Sequence, residues 1–296
     1  MLECSAGHVY AVRDGIPILL LEDVPHTHEA ALHALRDGDE PDRYRVRTSH
    51  IDPFVQEAIG ATGGYLYAGL AGRLTAYPIP ELRMAPGMGR TFLDLGSSWG
   101  RWSIAAARLG YRALGVDPSI NAVRSARRVT QQLNVDAAFV VADARYLPLA
   151  ANTFDAVFSY SVLQHFAKSD VHQTLREIRR ILTADGESFI QLPNAFGVRS
   201  LYHQARRGLR EPRAFEVRYW TIPELRRVFN ELIGPSVVTV DGFFSLNPQA
   251  ADLHLLPGRA RIVVSASEVL RRLAGMLPPL KYVADSLYVR SRVEPA

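Results

Sequence analysis

The sequence of 296 residues is 48% hydrophobic and 22% charged, long enough for one large domain with appendages or for a main domain plus a small one. A single cysteine, Cys4, excludes an intramolecular disulfide and a multi-thiolate zinc site, and with no long apolar run and an N-terminus broken by Glu3 and Asp14, a soluble cytoplasmic protein is expected. The net charge of +4 arises from arginines that alternate with acids, lysine standing only at Lys168 and Lys281, which disfavours nucleic acid as a partner.

In chain order, residues 1–22 predict two short strands, His8 to Val12 and Ile16 to Leu21, around an Asp14-Gly15 turn. From Asp23 to Arg47 the chain is polar. His26, His28 and His33 do not share one helix face there, so a linker or short helix is expected and no metal. Pro53 to Arg73 returns to apolar and aromatic residues, including Tyr65 and Tyr67, before Pro78, Pro80, Pro86 and Gly87 break the chain.

Thr91 to Ser119 is the central stretch of the sequence. Thr91 to Leu95 is a short apolar strand, Gly96 and Gly100 bracket a turn, Ile104 to Leu109 is an alanine-rich helix, and Arg112 to Val116 is a second strand ending at Asp117. Glycine permits positive φ and close approach to a ligand, and the N–H groups of the next helix favour polar groups. A nicotinamide cofactor would want G-x-G-x-x-G. The loop instead reads Gly96-Ser97-Ser98-Trp99-Gly100, with the acid Asp94 ahead of it, which would repel a phosphate and suit an ammonium group.

On these residues the sequence resembles the class I S-adenosylmethionine-dependent methyltransferases, over roughly Thr91 to Asn194. Asp94, Gly96 and Gly100 match the family's acid-x-Gly-x-Gly-x-Gly motif, and Ser98 replaces its middle glycine. The resemblance implies an α/β, Rossmann-like, doubly wound and mostly parallel seven-stranded sheet with an antiparallel last strand. It implies S-adenosylmethionine as cofactor, held by Asp94, Gly96, Ser98, Trp99, Gly100, Asp117 and Pro118. After the Ile120 to Leu133 helix and the Ala137 to Val141 strand, it places Asp143, Ala144 and Arg145 at the adenine.

The fourth core strand, Phe154 to Tyr160, runs into SVLQHF and matches the family's F-D-x-V-x-S…L-x-H pattern. Its carboxyl end puts Ser159 beside the cofactor and Tyr160, Gln164 and His165 nearest the chemistry, with His165 the candidate base and the other two candidates for orienting the acceptor. A helix from Asp170 to Leu182 ends at Asp185-Gly186, and the fifth strand is Glu187 to Leu192. The insertion between Pro193 and Trp220 is rich in arginine and aromatics, and suits either selection of an acidic acceptor or a solvated face. Asn194, Arg199, Tyr202 and Tyr219, with Tyr65 and Tyr67, are its candidate substrate contacts. Thr221 to Leu232 is a helix whose Thr221 and Glu224 are spaced as a capping box. Val237 to Phe244 and Leu287 to Val293 complete the strands. Between them, the basic amphipathic helix Ser265 to Met276 suits a lid, a homodimer contact or peripheral contact with a membrane.

Cys4, Tyr10 and Asp14 to Leu20 also resemble the small zinc-ribbon-like module of some methyltransferases, with Gly7 where a second cysteine would stand, so a metal-free remnant is expected. The organisation expected is 1–50 as that segment and linker and 51–296 as the methyltransferase domain, with insertions at 195–220 and 245–284. The expected function is methyl transfer to an oxygen of a small-molecule acceptor in biosynthesis. Transfer to carbon or nitrogen of a quinone or other small molecule, or a non-catalytic cofactor-binding or partner-activating subunit, are the alternatives.

Overall fold

The computed structural model describes residues 1–4, 7–21, 24, 51–62, 64–70 and 72–294. Apart from Val24, the expected linker from Asp23 to Arg47, with His26, His28 and His33, lies outside the described residues.

The chain enters as a hairpin. Strand β1 is Leu2–Glu3, and β2 (Val9–Arg13) and β3 (Ile16–Ile18) flank Asp14 and Gly15, whose φ values of +51° and +72° give the left-handed turn expected of an Asp-Gly pair. Helices α1 (Pro53–Thr62) and α2 (Tyr65–Ala68) come next. The core then alternates strand and helix: β4 (Thr91–Leu95), α3 (Arg101–Arg108), β5 (Arg112–Asp117), α4 (Ile120–Leu133), β6 (Ala137–Val141), β7 (Phe154–Ser159), α5 (Lys168–Ile181) and β8 (Leu182–Pro193). Helices α6 (Val198–Arg206) and α7 (Ile222–Leu232), strand β9 (Ser236–Gly242), helix α8 (Gly258–Met276) and strand β10 (Ser286–Arg292) complete the described elements.

The strands form one sheet in the order β1-β2-β3-β6-β5-β4-β7-β8-β10-β9. Strands β6, β5, β4, β7 and β8 are parallel neighbours, while β10 runs antiparallel between β8 and β9. This is the Rossmann-like arrangement expected, with one correction: the sheet has ten strands, not seven. The N-terminal hairpin adds to the sheet edge, β3 pairing in parallel with β6 through Ile18 and Val141.

Alternation along the strands explains the two covered faces. Leu93 and Leu95 of β4 join Leu175 and Ile178 of α5 and Leu225 and Phe229 of α7 in one apolar cluster. Phe92 of the same strand points the other way, to Phe158, Tyr288 and the α3 residues Trp102, Ala105 and Ala106.

Several boundaries differ from those the sequence predicts. Residue Leu182 starts a strand instead of ending a helix, because it pairs with Phe154, after which a register shift brings Glu187 opposite Ala156. The α8 helix begins at Gly258, seven residues ahead of the expected start, and α3 begins at Arg101 directly behind the glycine turn. The capping box on α7 is present: Thr221 Oγ1 accepts from Glu224 N at 3.3 Å and the Glu224 carboxylate accepts from Thr221 N at 3.4 Å.

Candidate functional site

Strand β4 has β5 on one side and β7 on the other, with consecutive connections leaving in opposite directions, so a crevice opens beyond their carboxyl ends. The Gly96–Gly100 turn fills the base of that crevice. Gly96 N and Ser97 N both donate to Val116 O, at 2.8 and 3.0 Å, which lashes the turn to β5. Gly96, Ser98 and Gly100 all have positive φ, +73°, +49° and +83°. Ser98 therefore adopts a left-handed conformation that glycine would take without a Cβ penalty, at a strain cost of about 1 kcal/mol. At Gly96 a Cβ would collide with Val162, so the segment after β7 lies directly against the turn.

Asp117 fixes the loop from the end of β5. Its two oxygens accept from Ser98 N and Ser119 N, each at 2.9 Å. Ser119 Oγ in turn caps α4 by accepting from Ala122 N. Pro118 sits half-buried between these anchors. Trp99 contributes its backbone to the turn, while its indole is buried among Ile104, Val129 and Tyr77.

Asp94 lies under the turn, 1% exposed, with Ser103 Oγ donating to Oδ2 at 2.7 Å. Burial pushes its pKa up to about 7, against the lowering effect of the Ser103 hydrogen bonds. Ser159, fully buried at the end of β7, donates to Leu95 O at 3.0 Å and ties the two strand ends together.

The segment after β6 holds an ion pair. Asp143 Oδ1 accepts from Arg145 N and Nε at 2.8 and 3.1 Å, and Oδ2 accepts from Nε and Nη2 at 3.2 and 2.7 Å. Both residues are buried, and Asp143 raises the Arg145 pKa through this hydrogen bonding. Ala144, Ala142 and Leu163 share the apolar cluster alongside, and Leu19, just past β3, packs onto it while donating its N–H to Val141 O at 2.7 Å.

The residues expected nearest the chemistry separate into two groups. Gln164 and His165 lie in a short 3-10 turn, Leu163–His165, beyond β7. His165 Nδ1 is 2.7 Å from Phe215 O, a group that only accepts, so neutral His165 carries its proton on Nδ1 and presents the Nε2 lone pair, 3.1 Å from the Gln164 amide nitrogen. The imidazole stacks on Phe215 at 4.0 Å. Tyr160 turns away: its buried hydroxyl donates to Asp241 Oδ2 at 3.0 Å, and burial raises its pKa well above the ordinary phenol value.

Asp241 and its neighbours carry no motif that singles them out in the sequence. The Asp241 carboxylate also accepts from Ser286 Oγ at 2.7 Å and Arg83 Nη1 at 3.2 Å. Ser286 accepts from Gln191 Nε2, and Gln191 Oε1 accepts from Ser161 N at 2.8 Å. The signal available was a polar residue near the end of each of two apolar strands, Gln191 of β8 and Asp241 of β9. Their meeting through Ser286, 95 positions from Gln191 and 45 from Asp241, is a property of the sheet.

Of the candidate substrate contacts, Asn194 is fully buried and braces the chain, donating to Tyr282 O and Ala284 O at 2.9 and 2.8 Å. Tyr67 is fully buried, and burial raises its pKa. Tyr65 and Tyr202 are exposed on either side of the Arg199 guanidinium, 5.7 and 6.0 Å from it. Arg207 lies 5.8 Å from the half-buried Tyr219 ring.

Cys4 Sγ is 3.3 Å from His8 Nδ1. Among the described residues, no three His, Cys, Asp or Glu gather as a metal site, and no helix is long and apolar enough to cross a membrane.

Residues 92–186 match the family model of a methyltransferase domain. The chain is 31% identical over 111 residues to the ubiquinone biosynthesis O-methyltransferase of Caulobacter vibrioides, a match that spans 37% of this chain and 43% of that relative. Among solved structures, an S-adenosylmethionine-dependent methyltransferase of Methanosarcina mazei is 16% identical, with 70% of this chain and 94% of that one covered at a TM-score of 0.49. The phosphoethanolamine N-methyltransferase 2 of Haemonchus contortus, solved with S-adenosylhomocysteine, is 18% identical, covering 71% of this chain and 50% of that one at a TM-score of 0.46.

Proposed function

We propose that the chain transfers the methyl group of S-adenosylmethionine to an oxygen of a small-molecule acceptor, residues 92–186 matching the family model of a methyltransferase domain. The observation that carries this reading is the Gly96–Gly100 turn, held by Asp117 through Ser98 N and packed against Val162, the residue just before the 3-10 turn of His165.

The residues fit the cofactor. Ser97 Oγ, in the turn itself, is buried and meets no hydrogen-bond partner among the described residues. The turn's positive-φ backbone allows close approach, the Asp117 carboxylate suits ribose hydroxyls, and Ala142, Ala144 and Leu163 give an apolar wall of the kind a purine needs. The bound sulfonium supplies an electrophilic methyl, so the protein's tasks are alignment, exclusion of water and removal of the acceptor's proton. His165 Nε2 is the base of this reading, its orientation fixed by Phe215 O on Nδ1, and the Gln164 amide 3.1 Å from Nε2 must turn aside for that lone pair to take the acceptor's proton. The likeness to an O-methyltransferase over 111 residues supports oxygen as the acceptor atom.

Calorimetric titration with S-adenosylmethionine and, separately, with NAD tests the cofactor. Micromolar binding of the first alone is expected, and then release of S-adenosylhomocysteine on screening hydroxylated acceptors. Binding of NAD alone would overturn the reading. Cofactor binding with turnover only on amine or carbon acceptors would move the acceptor atom.

A further inference from the structure

Helix α6 is amphipathic with its apolar side outward. Ser200 is 1% exposed and faces inward, its N–H donating to Asp285 Oδ1 at 2.9 Å, and Gln204 folds back to donate to Ala195 O at 2.8 Å. The residues turned to the surface are Val198, Leu201 and Tyr202, 57%, 48% and 55% exposed, with Phe196 and Leu209 before and after them at 57% and 77%. Positions 198, 201 and 202 have the spacing of one helix face. A helix that needs its polar side to hold the fold, and spends its apolar side on the surface, has that side available for another phase.

The patch extends beyond the helix. Val198 N donates to Val283 O at 3.3 Å, which sets the exposed Leu277, Tyr282 and Val283 alongside, and Arg199 bridges the rings of Tyr202 and Tyr65. Cations border it: Arg206 of α6 is exposed and has no salt bridge among the described residues, Lys281 lies 5.5 Å from the Tyr282 ring, and in the loop after α6 Arg213 and Glu211 are exposed while Arg210 is taken by Glu216.

We propose that the outward face of α6, with the adjoining 277–283 segment, docks on a bilayer surface carrying anionic lipid. Aliphatic and aromatic side chains in the middle with arginines around them match the layering of acyl chains beneath charged headgroups. A second copy fits less well, since like faces would set arginine rim against arginine rim. One short helix also offers less than the roughly 800 Å² per partner of a stable protein interface. Shallow lipid insertion needs no such area.

The docking does not rest on the methyl-transfer reading, and its test needs no turnover. Co-sedimentation of the full chain with vesicles of mixed phosphatidylglycerol and phosphatidylcholine is expected to pellet it, with at least tenfold weaker binding to phosphatidylcholine alone and weakening as salt rises. Leu201→Asp places a charge on the exposed face, and is expected to cut vesicle binding at least tenfold while leaving the circular dichroism and thermal midpoint unchanged. Arg206→Glu is expected to remove most of the preference for anionic lipid. Failure to pellet with the mixed vesicles, or pelleting that Leu201→Asp leaves intact, overturns the proposal. So does a dimer by light scattering that Leu201→Asp returns to monomer, which would assign the face to a second copy.

Discussion

Asp94 shows what burial does to a single carboxyl at this crevice. Its pKa rises from 3.8 to about 7 because water is excluded from it, so the folded chain holds a proton that the unfolded chain has lost across that interval. Linkage sets the sign: the folded state binds more protons between about pH 4 and 7, so this residue's contribution to stability is greatest at the acid end and declines as pH rises to 7. The decline amounts to roughly 4 kcal/mol at about 1.4 kcal/mol per pKa unit. Asp94→Asn is therefore expected to flatten the urea-unfolding stability over that range, and an unchanged slope would assign the pH dependence elsewhere. A cationic ligand beside the same carboxyl would favour its charged form. Cofactor binding near pH 6.5 is thus expected to release protons, read as a calorimetric enthalpy that changes with the buffer's ionisation enthalpy and loses that dependence in Asp94→Asn. At His165 the expectation is kinetic. His165→Ala should lower turnover by about two orders of magnitude or more if Nε2 takes the acceptor's proton, with the cofactor Kd unchanged. Near-normal turnover would leave the imidazole as a brace between Gln164 and Phe215 O.

Among the elements, the N-terminal hairpin is short yet supplies a buried core residue. Ile16, 1% exposed, packs with Ile120, Val123, Phe139 and Val141, so a three-residue strand closes the cluster under α4. Asp14 reinforces the docking by accepting from Arg124 Nη2 at 2.7 Å and through its carbonyl from Arg127. Ile16→Ala is expected to destabilise the whole protein by about 2–5 kcal/mol, the range for a buried large-to-small change. Arg124→Ala, whose ion pair is half-exposed on the Asp14 side, should cost under about 1 kcal/mol. Equal effects of the two in chemical denaturation would mean that charge, not packing, holds the hairpin. The sequence exposed the hairpin's turn but not its destination. Asp14-Gly15 is a local signal, whereas the pairing of Ile18 with Val141 depends on which edge the sheet leaves open. The same limit applies at Leu182. Apolar spacing at Val171, Leu175 and Ile178 runs on to it at helical period, yet its partner Phe154 lies on another strand and converts it to β8. The start of α8 was hidden differently: Ile262, Val263 and Val264 are β-branched and consecutive, which carries no helical period.

For the molecule as a whole, the candidate site was legible where its chemistry lies within a few residues of a strand end: Gly96 to Gly100, Asp117, Asp143 with Arg145, and Gln164 with His165. It was illegible where distant segments meet. Asp285 is the clearest such place. It stands 2% exposed just ahead of β10, and Oδ1 accepts from Ser200 N of α6 while Oδ2 accepts from Phe244 N at 2.6 Å, in the segment after β9. A Cβ on Gly197 would strike the same residue, so the backbone of the 195–220 insertion is pressed against it. One carboxylate thus anchors both segments inserted around the crevice to the antiparallel end of the sheet. Removing it leaves two N–H donors without their acceptor, at roughly 1–3 kcal/mol for the buried Ser200 N–H and less for the part-buried Phe244 N–H. Local opening should absorb that cost before the parallel core does, because the core strands β4, β5, β7 and β8 are covered on both faces. Asp285→Ala is therefore expected to raise amide exchange by mass spectrometry in residues 197–206 and 243–246 together, with β4, β5 and β7 unchanged. Faster exchange in one segment alone would show that the two insertions are held independently. A uniform rise through the core would instead make Asp285 a determinant of global stability.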